Sequence, residues 1–86
     1  ILYIMSEGNY ATFVTAENKY VVKRSLLQIA TTLPADTFIR IHRSFLVKFE
    51  AISGVYPESQ EVSVGTERLP IGRAFKQDLM ARMEIL

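Results

Sequence analysis

Phe38-Ile39-Arg40-Ile41-His42-Arg43-Ser44-Phe45-Leu46-Val47-Lys48-Phe49 is the stretch on which the reading of this chain turns. Ile39 and Ile41 alternate with Arg40 and His42, the period of two that gives a strand one apolar face. After Ser44 the alternation resumes, with Phe45, Val47 and Phe49 on one side and Leu46 and Lys48 on the other. Two strands joined at His42-Arg43-Ser44 are therefore expected. Residues 37 to 49 hold three cations (Arg40, Arg43 and Lys48) and no carboxylate. A strand pair that brings an imidazole, a guanidinium and a hydroxyl to one corner suits a polyanionic partner.

Upstream, Leu2-Tyr3-Ile4-Met5 is too apolar for an edge and predicts a buried strand, followed by a Ser6-Glu7-Gly8-Asn9 loop. Gly and Asn both tolerate the positive φ that tight turns require. Tyr10 to Ala16 is a β-branched and aromatic run, and Glu17-Asn18 turns it into Lys19-Tyr20-Val21-Val22-Lys23, the return strand of a hairpin. At Ser25 the period changes. Leu26, Ile29, Ala30 and Leu33 follow helical spacing, Ser25 is a good N-cap, and Pro34 blocks continuation.

Downstream, Ala51 to Tyr56 and Glu61 to Val64 predict two more strands, and Gly65-Thr66-Glu67 turns the chain into Arg68-Leu69-Pro70-Ile71. From Arg73 onward Phe75, Leu79, Met83 and Leu86 lie four, four and three residues apart, one face of a helix. The fold class is mostly β: antiparallel sheets of short strands with two short helices.

Eighty-six residues, 49% of them hydrophobic, form one small domain over 1–86. Without cysteine there is neither a disulfide framework nor a thiolate metal site, which fits a reducing, cytoplasmic setting. No apolar run approaches the roughly 20 residues that span a bilayer, so no membrane role is expected. The chain opens on Ile1 rather than Met, as a piece of a longer protein would.

The net charge of +1 says less than its distribution. Lys19, Lys23 and Arg24 form a cationic cluster; Glu50, Glu58, Glu61 and Glu67 form an acidic run with no cation until Arg68.

His42 is the only histidine, and a lone histidine makes neither a metal site nor a catalytic triad. Two roles stay open for it: a structural one at the strand junction, bonded to nearby backbone, or a direct contact. Arg43 at a turn points outward, where its planar fork can take a phosphate or the O6/N7 edge of guanine, or simply be solvated. Asn9 and Tyr10 sit at a loop-to-strand boundary, where an amide can take an adenine edge and a phenol a phosphate. A turn residue beside a core aromatic is the commoner reason for such a pair. Lys23 and Arg24 precede the Ser25 helix, whose N-terminus favours anions, and Gly72-Arg73 opens the last helix similarly. With no paired acids, no GxxxxGK[ST] loop and no HExxH or GxSxG pattern, enzyme chemistry is not expected, and neither is a cofactor.

Three segments together carry a resemblance. Ile1-Leu2-Tyr3-Ile4 with Glu7-Gly8-Asn9-Tyr10, the stretch Phe38 to Lys48, and Leu69-Pro70-Ile71-Gly72-Arg73-Ala74-Phe75-Lys76 resemble the LytTR-type DNA-binding domain, in order and spacing across nearly the whole chain. The resemblance implies a β fold whose loops enter successive major grooves of double-stranded DNA. It implies the C-terminal output half of a bacterial two-component response regulator, behind a receiver domain answering to a sensor kinase. A single domain of this size makes a small interface, so a dimer on direct repeats is expected. By position it assigns base contacts to Asn9, Tyr10, Arg43 and Arg73. Phosphate contacts fall to Lys23, Arg24, Lys48 and Lys76, and His42 and Ser44 are left as structural. Met5 stands where the family often has Glu, Lys48 where it often has Asn, and Gly72 where it often has Ser; the family's usual first strand is absent. The alternative is a β-rich protein-interaction module that binds through an exposed sheet edge, with the acidic run as its support.

Overall fold

The computed structural model describes residues 1–84. Eight strands and two helices follow one another: β1 Tyr3–Glu7, β2 Tyr10–Val14, β3 Lys19–Val22, α1 Leu26–Thr32, β4 Phe38–His42, β5 Phe45–Lys48, β6 Ile52–Tyr56, β7 Glu61–Val64, β8 Glu67–Pro70 and α2 Arg73–Glu84. A single 3-10 turn, Phe49–Ala51, leads into β6. The strands form a five-stranded sheet in the order β3-β2-β1-β5-β4 and a three-stranded sheet β6-β7-β8, antiparallel throughout.

The apolar Leu2–Met5 run lies where its composition predicts, since β1 is the middle strand of the larger sheet. Its neighbour β5 departs from the expected alternation: both Leu46 and Val47 are buried. The reason is that this sheet is covered on both faces. On one side Ile4, Ala11, Leu46 and the α1 residues Leu26 and Ile29 form a small core. On the other side Tyr3, Val14, Ile39, Ile41 and Val47 pack with Val62, Val64 and Leu69 of the second sheet and Leu79 of α2. A strand buried on both faces reads as a continuous apolar run. Each such Val, Ile or Leu contributes about 1.5–3 kcal/mol by leaving water. Burial also lifts the Tyr3 phenol above its ordinary pKa, with the Glu67 charge adding to it, so the neutral hydroxyl persists in the core.

Other boundaries shift for local reasons. The Ser6-Glu7 pair continues β1 instead of starting a loop, because a two-residue turn suffices: Glu7 pairs with Tyr10, and Gly8 takes φ +60. Glycine at the first of two turn positions is what a type II′ hairpin requires. β2 stops at Val14, where the Thr15 hydroxyl accepts from Asn18 N–H at 2.9 Å and closes the next turn. Phe49 and Ala51 belong to the 3-10 turn and not to the flanking strands. β8 starts at Glu67 and stops at Pro70, after which Ile71 N–H donates to Gln60 O at 2.8 Å.

α1 is closed by a capping box, with Ser25 Oγ accepting from Gln28 N–H and Gln28 Oε1 accepting from Ser25 N–H, each at 3.1 Å. Leu33 is already extended at its C-cap, as a residue preceding proline prefers. In α2, Leu79 is buried while Phe75 and Met83 are half-buried; Leu86, the last member of the expected apolar face, lies outside the described residues.

Candidate nucleic-acid interface

The register places most of the candidate residues at one end of the larger sheet. β1 ends and β2 begins there, at the Gly8-Asn9 turn. β4 ends and β5 begins there too, at Arg43-Ser44, and Ser6 N–H donates to Ser44 O at 2.8 Å, binding the two turns side by side. β3 leaves at the same end, since Val22 pairs with Ala11 and the chain then passes through Lys23 and Arg24. Gly72 N–H donates to Ile41 O at 2.7 Å, bringing the start of α2 and Arg73 to the end of β4. Asn9, Tyr10, Lys23, Arg24, Arg43 and Arg73 are all exposed. Four segments distant in sequence thus form one rim carrying four cations and, in Asn9 and Tyr10, two hydrogen-bonding side chains. Lys76 extends it by one helical turn, three residues past Arg73 and half-buried. Glu7, exposed and opposite Tyr10, is the carboxylate on the β1–β2 hairpin there.

Lys48 is the candidate the fold separates from the others. It pairs with Phe38 at the start of β4, and its N–H donates to Leu2 O, so it emerges at the opposite end of the sheet. From Phe45 to Lys48 the strand climbs three residues, about 10 Å. Alternation along a strand says which face a residue takes but not which end of the sheet it marks, so the sequence could not separate Lys48 from Arg43.

Lys23 and Arg24 sit before α1 as expected, yet the capping box already engages Gln28 N–H and Ser25 N–H. With those donors taken, the two side chains act there as charges. The acidic run divides. Glu61 is paired with Arg68 at 3.2 Å, and Arg68 stacks over the Tyr56 ring. Glu50 lies on the 3-10 turn after β5, and Glu67 opens β8 beside the region of Tyr3. Among these residues, Glu50 and Glu67 stand at the end away from Arg43.

At the junction itself, His42 Nδ1 accepts from Ser44 N–H at 3.0 Å, which places the proton of the neutral ring on Nε2. The ring meets Phe45 edge-on, with centroids 5.7 Å apart. A register shift between Arg40 and His42 marks a bulge, the usual device for re-aiming side chains where a strand ends. Replacing His42 by alanine removes the acceptor for Ser44 N–H in a half-buried site. A loss of about 1–2 kcal/mol of stability is expected, to be read from denaturant unfolding. Unchanged unfolding together with lost DNA binding would instead make His42 a contact residue.

Arg40 is the residue whose place the sequence concealed. Counted by pattern it is one more surface cation; in the fold it is half-buried and turned onto the junction. Its Nη2 donates to Arg43 O at 2.8 Å and its Nε to His42 O at 3.4 Å, while the guanidinium carbon lies 5.4 Å from the centre of the Phe75 ring. Arg82 is engaged similarly farther along α2: it donates to Ala35 O and Asp36 O and lies over Phe49. A hydrophobic segment ahead of a cation was the one available signal, and it does not distinguish a stacked guanidinium from a solvated one.

Comparison with known proteins agrees with this architecture. The family model for the LytTr DNA-binding domain matches residues 1–84. The chain is 28% identical over 89 aligned positions to the sensory transduction protein LytT of Bacillus subtilis, covering 99% of this chain and 37% of that protein. It is 28% identical to the sensory transduction protein LytR of Streptococcus mutans, covering 92% of this chain and 34% of that one. The chain therefore spans about a third of the length of these relatives. Among solved structures, the LytTr DNA-binding domain of a Bacillus cereus protein described as a methyl-accepting/DNA response regulator superposes with a TM-score of 0.87. It is 28% identical, over 96% of this chain and 80% of that one.

Proposed function

The chain belongs to the LytTR family of DNA-binding domains, and from that premise we propose that it binds double-stranded DNA sequence-specifically through the rim that joins its turns. The observation carrying this reading is the convergence of Lys23, Arg24, Arg43 and Arg73 with Asn9 and Tyr10 at one end of the sheet. Phosphate contacts set register and orientation, and base edges supply sequence. Lys23, Arg24 and Lys76 take phosphates; Arg43, Arg73 and the Asn9-Tyr10 turn face the grooves and read bases. Lys48, at the other end, takes no part on this face.

Residues 1–86 act in this reading as one domain, the C-terminal output part of a longer bacterial transcription regulator in the cytoplasm, with the family's first strand outside them. A receiver domain upstream, controlled by a sensor kinase, would bring two copies together on direct-repeat sites. A single module of this size buries little DNA surface, and pairing raises affinity without new contacts.

The test is selection of bound sequences from a random double-stranded pool, followed by an electrophoretic shift on the selected site and on scrambled DNA. A reproducible preferred sequence is expected. The open edge β3 favours a second reading: Tyr20, Val21 and Val22 are 55%, 63% and 39% exposed on a strand with one unpaired side. If that edge served protein docking and the rim had no role, no fragment would be retarded even at low salt. Lys19 and Lys23 flank the edge, the arrangement that guards a strand against pairing with another chain.

A further inference from the structure

Arg40 joins the two turns that the DNA reading relies on, beside the His42 ring, which accepts from Ser44 N–H and borders Gly72. Its Nη2 and Nε hold the successive carbonyls of Arg43 and His42, and its flat face covers Phe75, in the first turn of α2. The main chain adds a second tie at the same place, Gly72 N–H to Ile41 O at 2.7 Å. A Cβ on Gly72 would stand 3.4 Å from His42 Cα and 3.2 Å from the Phe75 ring, so the two segments are in close contact.

Only a planar cation can perform all three contacts at once. Lysine offers one tetrahedral ammonium, which can meet a carbonyl but cannot bridge two in a fork and stack on a ring together. Attraction between a guanidinium and an aromatic face, added to hydrogen bonds from a charged donor, restrains an otherwise exposed turn.

We infer that Arg40 is a positioning residue for sequence reading: it latches the Arg43 turn to the start of α2, so that Arg43 and Arg73 are presented to DNA as one rigid unit. This rests on the base-reading role proposed above for those two arginines. Arg40 itself touches no base and no phosphate. Its charge is spent on two carbonyls and a ring inside the protein. A reading side chain must be held to a fraction of an ångström before it meets the base, and supporting contacts supply that order.

The test uses Arg40→Lys, which keeps the charge and the aliphatic stem. In the free protein, backbone NMR relaxation should show new motion confined to Arg43-Ser44 and Gly72-Arg73. On DNA, discrimination between the selected site and its single-base variants should fall by about tenfold, the size of one good bidentate base contact. It should fall at two separate groups of positions, those read by Arg43 and those read by Arg73, and the slope of affinity against salt should stay unchanged. Phe75→Leu removes only the aromatic face and should give a weaker form of the same two-position pattern. It also serves as the assay variant if Arg40→Lys does not fold. A lowered Tm with an intact base profile would mean that Arg40 only stabilises the fold, and would overturn the inference. So would relaxation unchanged at both turns, whatever happens on DNA. A wild-type protein without any preferred sequence would overturn the DNA reading itself, and is distinguishable because the relaxation experiment needs no DNA.

Discussion

Affinity for the selected site is expected to fall by roughly 40-fold when monovalent salt rises from about 50 to about 200 mM. Five cations border the rim: Lys23, Arg24, Arg43, Arg73 and Lys76. Of these, the three that take phosphates, Lys23, Arg24 and Lys76, give a slope of log affinity against log salt of about −2.7, near −0.9 for every phosphate neutralised. Net charge does not produce this effect, because the whole chain carries only +1. It depends on geometry: the rim collects cations, while Glu61 is paired with Arg68 and Glu67 lies on the sheet that stands behind the core. Titrations at four or five salt concentrations give the slope. A value shallower than about −1 would mean that phosphates are not the anchor.

Arg43→Ala and Lys23→Ala are expected to fail in different ways. A base-reading arginine loses affinity and discrimination together, by about 1–3 kcal/mol and mostly at one base pair. A phosphate-gripping lysine loses affinity about equally on all sequences and lowers the salt slope by about one. Arg43 occupies the exposed turn between β4 and β5 and is held by its own carbonyl through Arg40, so its side chain leaves from an ordered base. Lys23 leaves the sheet end after β3 with its neighbours exposed, a setting that suits a mobile point charge. Binding of each variant to the selected site and to each of its single-base variants decides the matter. Equal weakening on all of them by Arg43→Ala would make Arg43 a phosphate contact and pass base reading to Arg73 or the Asn9 turn.

Much of the fold is visible in the chain because its signals are local. The β4–β5 pair follows from alternation around Ile39, Ile41 and Val47, the first loop from Gly8 and Asn9, α1 from Ser25 and Pro34, and α2 from the spacing of Phe75, Leu79 and Met83. Each depends on neighbours within a few residues, where backbone dihedrals and side-chain direction are set. The burial of Leu46 on the second face of β5 was not visible in that way. It requires α1, some twenty positions away in sequence, to cover that face of the sheet.

The same division runs through the candidate site. By itself the sequence determined the types of group available, a histidine-arginine-serine turn, three later arginines, a cationic cluster before a helix, and the family those segments resemble. Tertiary structure alone decided their company. It drew Asn9, Lys23, Arg43 and Arg73 to one end, sent Lys48 to the other, and turned Arg40 inward to the carbonyls of His42 and Arg43. The physical reason is that a side chain's chemistry is carried in its own residue, whereas its neighbours across a sheet are set by strand order and register. Those are fixed by burying apolar faces on both sides of β1 and β5, not by any property of the charged residues that end up together.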